Sequence, residues 1–257
     1  MLNKVLNKMN GLRTSYLLEF SPYSHALADL PPDLFPCWQR TALLEFKGIP
    51  RDAFFFVRAA EGLMMFFDCV RRSGRPCGLP SKAADSVWHA WAELDPVHLE
   101  RFNLRHFGRL IPHVEGADMA VPMDVALANC LVVARSLDGM PAAGPGVPKL
   151  FSLDRRLQMP NGFEYVLEGG RVGHRRMSWQ GTGKGEVFFL DSLAPSMLLA
   201  AGLVSAEQYE AHVQRLAAAK DGSGGCGSGC GGGGASDGDG SSCSSSCGGG
   251  CGGGCGG

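Results

Sequence analysis

The chain has 257 residues, and its 24 basic and 25 acidic side chains leave a net charge of −1, with the basic residues forming no sustained run. That balance excludes the electrostatic footprint of a dedicated nucleic-acid or membrane-surface binder. Hydrophobic residues make up 45 % of the chain, enough for a packed core in a body of ordinary domain size.

The first 20 residues carry Lys4, Lys8 and Arg13 and develop no apolar run followed by a small-residue cleavage site, so no secretory signal is expected. Up to residue 50 the pattern is helical but poorly periodic, interrupted by Pro22, Pro31, Pro32 and Pro36. From Asp52 an apolar segment runs through Phe54, Phe55 and Phe56 to Arg72 and stops at Gly74, which predicts the central helix of the core. Arg58, Glu61 and Asp68 inside it would each cost about 2.5 to 3.5 kcal/mol near a bilayer centre, so it is read as buried in protein and not as a membrane span. Ser81 is an N-cap candidate for the next helix, whose stripe Ala84, Val87, Trp88, Trp91 and Leu94 repeats every three or four residues. Pro96 breaks it and opens a helix over 97–107 that Gly108 closes; a further helix over 122–137 ends near Gly139.

Three prolines and three glycines over 139–148 predict a loop or linker. Beyond it, Asn161-Gly162 is a turn signal, and the segments 163–167 and 186–190 are the extended candidates for a hairpin or two-strand patch. Gly181-Thr182-Gly183-Lys184-Gly185 lacks the spacing of a phosphate loop. Helices resume over 194–201 and over 206–219, the latter opened by a Ser205–Gln208 capping box. The expected fold is therefore mainly α, an irregular helical domain with a small β-hairpin patch in its C-terminal half and a disordered tail. The division expected is a helical core over 1–138, a smaller α+β region over 149–220 packed on it, and the tail over 221–257.

Two constellations carry chemistry. Asp85, His89 and Glu93 lie four apart, on one helical face beside Trp88, and His106 and His113 follow the next helix. A histidine between two carboxylates suits a general base or, with a second histidine, a zinc ligand set; it equally suits a structural polar cluster that fixes a helix-packing angle. No nucleophile sits beside it, so no catalytic residue is assigned. The body cysteines Cys37, Cys69, Cys77 and Cys130 are isolated; Cys69 and Cys130 fall in apolar helices, where a thiol is a small hydrophobe, while Cys77 lies in a turn near Arg75, which would favour its thiolate.

The second constellation is the tail, which holds six of the ten cysteines and only Ala235 as an aliphatic side chain. It has no apolar surface to set against about 1 to 2 kcal/mol of backbone entropy per ordered residue. Cys226, Cys230, Cys243 and Cys247 have the spacing of a four-thiolate zinc site, with Cys251 and Cys255 as further donors. Closing the 12-residue loop costs about 2 kcal/mol, against about 10 to 16 kcal/mol for a structural zinc. Gly, Ser and Cys in alternation are also similar to the modified region of thiazole-bearing microcins, in which case the tail is a substrate for Cys/Ser heterocyclisation.

The runs Leu79-Pro80-Ser81-Lys82-Ala83-Ala84-Asp85-Ser86-Val87-Trp88-His89, His106-Phe107-Gly108-Arg109-Leu110-Ile111-Pro112-His113 and Leu150-Phe151-Ser152-Leu153-Asp154, followed by Pro160-Asn161-Gly162-Phe163, carry a resemblance to an uncharacterised bacterial family with a Trp-His helix and a Gly/Cys-rich end. The helix motif is distantly similar to that of the glycine-rich domain-containing proteins of plants, although Trp91 stands where their second histidine falls. The resemblance spans roughly residues 50 to 170 plus the tail; it implies a helical domain and no particular reaction. The expectation is a cytoplasmic, non-enzymatic interaction domain whose thiol-rich tail binds soft metal, zinc above all, or a protein partner. The alternative is a metal- or His-dependent enzyme built on the Asp85/His89/Glu93 face.

Overall fold

The computed structural model describes residues 11, 13–114 and 118–221; the tail cysteines Cys226 to Cys255, and with them the expected tail, lie outside the described residues. After helical residues 13–20 the elements are α1 (Ser24–Ala28), α2 (Leu34–Glu45), α3 (Ala53–Ser73), α4 (Lys82–Leu94), α5 (Pro96–Phe107), α6 (Met123–Leu137), α7 (Leu153–Leu157), β1 (Phe163–Glu168), β2 (Arg171–Arg176), β3 (Phe188–Phe189), a 3-10 turn (Asp191–Leu193), α8 (Pro195–Ala200) and α9 (Ala206–Asp221). The fold is mainly α with one small antiparallel sheet in the order β1-β2-β3. No helix among the described residues is long and apolar enough to cross a membrane.

Helix α3 is the spine. Asp52 caps its start by accepting from Phe55 N at 3.0 Å, and Gly74 ends it at φ 62°, a conformation a side chain disfavours. Residues of α3 pack against α1, α4, α5, α6 and α7. Leu63, Met64 and Phe67 are fully buried, each contributing about 1.5 to 3 kcal/mol relative to exposure. Gly62 has a packing reason: a Cβ there would run into the Leu153 side chain, so α7 rests on the helix backbone. Trp38 of α2 stacks on Phe55 at 5.9 Å, and its indole N–H donates to Ser86 Oγ of α4 at 3.0 Å, joining α2, α3 and α4. Pro36 sits inside the first turn of α2, where a missing N–H costs nothing.

Helix α4 starts where Ser81 caps it, as its sequence predicts, with Ser81 Oγ accepting from Ala84 N at 3.2 Å. A second cap comes from far along the chain. The buried carboxylate of Asp154 accepts from Ser81 Oγ at 2.6 Å, Ala83 N at 3.0 Å, Lys82 N at 3.1 Å and Phe163 N at 2.9 Å. Each oxygen takes two donors, which leaves no position for a proton and places the negative charge at the positive end of the α4 dipole. Burial pushes the Asp154 carboxyl above its ordinary value, and the four donors pull it back. Gly162 permits the approach, since a Cβ there would lie 2.6 Å from Asp154 Oδ2.

The sheet differs from expectation in its pairing. Asn161-Gly162 is not the hairpin turn: Asn161, at φ 54°, leads the chain into β1, and the turn is Gly169-Gly170, with φ of 56° and 78°. The partner of β1 is β2, in register from Phe163 opposite Arg176 to Glu168 opposite Arg171, and of the expected strand 186–190 only Phe188–Phe189 pairs, on the outer side of β2. Two successive positive-φ glycines make a type I′ turn, whose twist matches the strands. The sequence Arg-Val-Gly-His-Arg-Arg hides a strand because its charge is absorbed by a buried partner: Glu164 accepts from Arg175 at 2.7 Å and lies 3.3 Å from Arg155. The loop 139–148 is likewise held, by the buried Arg135 donating to Gly146 O and Ala142 O at 3.1 and 2.9 Å; burial pulls that guanidinium down to about 10. The Ser205–Gln208 capping box forms as expected, with reciprocal bonds of 2.9 and 3.2 Å. One hydrophobic cluster runs from Ala26 to Val204.

Replacing Asp154 with alanine leaves two main-chain donors of α4, the Phe163 N–H and the Ser81 hydroxyl without their buried acceptor. The expected loss is about 3 kcal/mol or more in chemical denaturation, given about 1.5 to 3 kcal/mol for each hydrogen bond to a charged group. A surface control, Glu207→Ala, is expected to change stability by less than about 0.5 kcal/mol.

Candidate metal centre

Helix periodicity puts Asp85 and His89 on one face of α4, one turn apart. The chain leaving α5 turns at Gly108, φ 70°, and is pinned by buried Ile111, after which it brings His113 back over that face. Asp85 Oδ1 lies 3.5 Å from His89 Nε2 and 3.5 Å from His113 Nε2. The two imidazole rings are 4.6 Å apart and nearly perpendicular, and His113 meets the edge of Trp88 at 4.6 Å.

These spacings are compatible with a hydrogen-bonded packing cluster and with a ligand set. An N–H···O bond has its mode at about 2.9 to 3.0 Å, and 3.5 Å is at its outer limit. Three donors held about 2.0 to 2.2 Å from one tetrahedral zinc lie about 3.4 Å from one another. The three ligand atoms of Asp85, His89 and His113 all fall within 4.8 Å of each other.

Glu45, the last residue of α2, supplies what the sequence does not reveal. Its Oε2 lies 2.6 Å from His89 Nδ1. A carboxylate only accepts, so Nδ1 carries a proton, and the neutral ring in that tautomer has its lone pair on Nε2, the atom facing Asp85. Metal-bound histidines are oriented by such an outer carboxylate. Glu45 and His89 are 44 positions apart, and no spacing rule connects them.

The other predicted residues are placed elsewhere. Glu93 is exposed and lines a cleft with Thr41 and Glu45 on the far side of His89. His106 bonds Asp29 Oδ2 at 2.9 Å, shares it with Arg105 and packs on Phe102 at 4.4 Å; the Asp29 carboxyl is lowered by these two donors, His106 first. The structure thus joins Asp85, His89 and His113 and leaves Glu93 and His106 apart from them.

A cavity of about 760 Å³ opens beside the three, within the range of small-molecule sites. Phe66, Trp88, Met119 and Met123 make its apolar wall, and Arg75, Arg109 and Cys77 also line it. The Arg75 guanidinium donates to Ala201 O and that of Arg109 to Val70 O, at 3.1 and 3.3 Å. The Cys77 thiol is lowered from its ordinary value, but not through the Arg75 side chain: a hydrogen bond with Cys130 is the main influence, burial opposes it, and Ser73 and the charge of Arg109 add to it. Its Sγ lies 3.7 Å from the Arg75 main-chain oxygen. Cys130 is driven the other way by burial, and with Cys69 it is fully buried, as expected for small hydrophobes.

No curated protein and no solved structure matches the chain. A family model does, over residues 56–185. That span runs from within α3 past β2 and holds Asp85, His89, His113 and the Asp154 cap, while Glu45 precedes it. The chain belongs to the UCP032817-like family, an uncharacterised one.

Proposed function

We propose that the protein is a metal-dependent enzyme with one divalent ion, zinc for preference, held by Asp85, His89 and His113 and oriented from behind by Glu45. The observation that carries this reading is the joint position of Asp85 Oδ1 at 3.5 Å from both Nε2 atoms with His89 Nδ1 tied to Glu45. Two histidines and one carboxylate are the ligand count of catalytic sites, which keep a position open for water or substrate. Here the open side gives onto the cavity lined by Arg75 and Arg109. A zinc ion held there would supply a water acidic enough to serve as nucleophile near neutrality, and the chemistry proposed is hydrolysis of a small substrate bearing an anionic group. This is a different reading from the expected non-enzymatic domain.

The tail supports a second, separate reading, because six cysteines in a segment otherwise of Gly, Ser, Asp and one Ala are a soft-metal donor set. Its composition is similar to the Gly/Cys-rich end that the resemblance to the bacterial family implies, and the proposed thiol-borne zinc and protein-partner roles belong to this segment.

The two sites are separable. A full-length variant with the six tail cysteines changed to serine is expected to bind one zinc per chain by calorimetry. Glu45→Gln should weaken that binding about 10- to 100-fold, and His89→Ala or His113→Ala by more, with unchanged far-UV circular dichroism because both side chains are partly exposed. Equal zinc affinity in all these variants would remove the proposal. In elemental analysis of the native sequence, zinc beyond one equivalent that disappears with the serine replacements would mark the tail site.

A further inference from the structure

A second cavity, of about 600 Å³, lies on another face of α3, bounded by α1, α6 and α7. Its walls hold Arg58, Arg71, Arg72, Lys149 and Arg156 against Glu61, Asp68 and Asp138, a surplus of two positive charges before His25 is considered. The carboxylates are already occupied. Glu61, buried, accepts from Ser21 Oγ at 2.7 Å and Arg58 Nη1 at 2.6 Å. Asp68, also buried, accepts from Arg71 at 2.6 and 2.9 Å, from Arg72 Nε at 3.2 Å and from the Tyr23 hydroxyl at 3.4 Å. Asp138 accepts from Lys149 N at 2.6 Å and lies 3.7 Å from its Nζ.

The cations are not correspondingly saturated. Among the described residues the Arg156 side chain makes no hydrogen bond and no ion pair, its main-chain N–H alone donating, to Ser152 O at 3.0 Å. Burial, and next the nearby Arg58, hold its guanidinium below its ordinary value, with Glu61 and Asp138 acting the other way. Arg58 spends one terminal nitrogen on Glu61, and Arg72 only its Nε on Asp68. Guanidinium groups with free donors, set around one concavity whose acidic groups are taken, are a receptor for an anion with more than two acceptor oxygens. The rest of the wall is apolar, with Met65, Leu150 and Leu153, and the volume far exceeds one phosphate.

We propose that this cavity binds the phosphoryl group of a small phosphomonoester, its dianion matching the two surplus charges and its apolar body resting on Met65, Leu150 and Leu153. The site is independent of the metal centre. It uses α3 residues Arg58, Glu61, Asp68 and Arg72, whereas the metal cavity takes Phe66, Val70 and the Gly74 end.

Calorimetric titration of the full-length, chelator-treated protein tests this with three probes: phenyl phosphate, inorganic phosphate and benzoate. Phenyl phosphate is expected to bind one to one and at least ten times more tightly than either of the others. Arg156→Gln, which breaks no side-chain hydrogen bond or ion pair, should weaken it at least tenfold at a thermal midpoint changed by no more than a few degrees, and Arg72→Gln, which leaves Asp68 paired with Arg71, should weaken it as well. Asp85→Asn should leave it unaltered. Failure of phenyl phosphate to bind, full affinity in both arginine variants, or loss in Asp85→Asn alone would overturn the assignment; equal binding of benzoate would overturn its phosphoryl chemistry, and equal binding of inorganic phosphate the role of the apolar wall.

Discussion

The carboxylate of Asp154 ties three distant pieces of chain into one geometry. It receives the first main-chain donors of α4, the Ser81 hydroxyl that itself caps that helix, and the N–H that begins β1. A buried charge is tolerated only where every lone pair is used, and here all are. The consequence is positional: α4 cannot slide or rotate about its axis without breaking these bonds. The same helix carries Asp85 and His89 one turn further in. Gly162, which has no Cβ to hold β1 off, and Gly62, which lets Leu153 descend onto α3, are the two small residues that bring Asp154 within reach.

From that fixed start the proposed metal site is assembled by converging elements. Helix α4 contributes two of the candidate ligands by periodicity alone. The third arrives because Gly108 turns the chain at the end of α5 and Ile111 anchors it, so His113 is placed by packing. Glu45 reaches His89 because Trp38 stacks on Phe55 and hydrogen-bonds Ser86, holding α2 along α4. Local capping, core packing and the orientation of one imidazole are steps in a single chain of causes, and the cavity between α3, α4 and the loop after α5 is where they end. On another face of the same spine, buried Glu61 and Asp68 gather arginines, so α3 lies between the cavity proposed for an anion and the one proposed for a cation.

Helices were legible wherever a cap and a stripe coincided: Ser81 with Trp88 and Trp91, Asp52 with Gly74, Pro96 with Gly108. They announce themselves locally because a helix is satisfied by its own backbone. The β-hairpin was legible as a patch but not in its pairing, since Arg171–Arg176 carries three arginines, of which Arg175 is paired with Glu164 and Arg171 with Asp191, neither a neighbour in sequence. Gly169-Gly170 is the turn signal in the sequence that marks this hairpin, and the reading built on Asn161-Gly162 passes over it. The site was half legible: Asp85 and His89 follow from spacing and His113 from its motif, whereas Glu93, equally well spaced, faces out toward solvent. Glu45 and Asp154 act across 44 and about 70 positions, and nothing short of the fold brings them in.

The account stands or falls on whether Asp85, His89 and His113 share one ion. X-ray absorption at the zinc edge of the full-length chain, loaded with one equivalent after its tail cysteines have been replaced, reads the donor atoms directly. A shell of nitrogen and oxygen at about 2.0 to 2.1 Å with the multiple-scattering signature of two imidazoles is the expected result. A shell of sulfur at about 2.3 Å from the body thiols, or zinc held without imidazole, would contradict it.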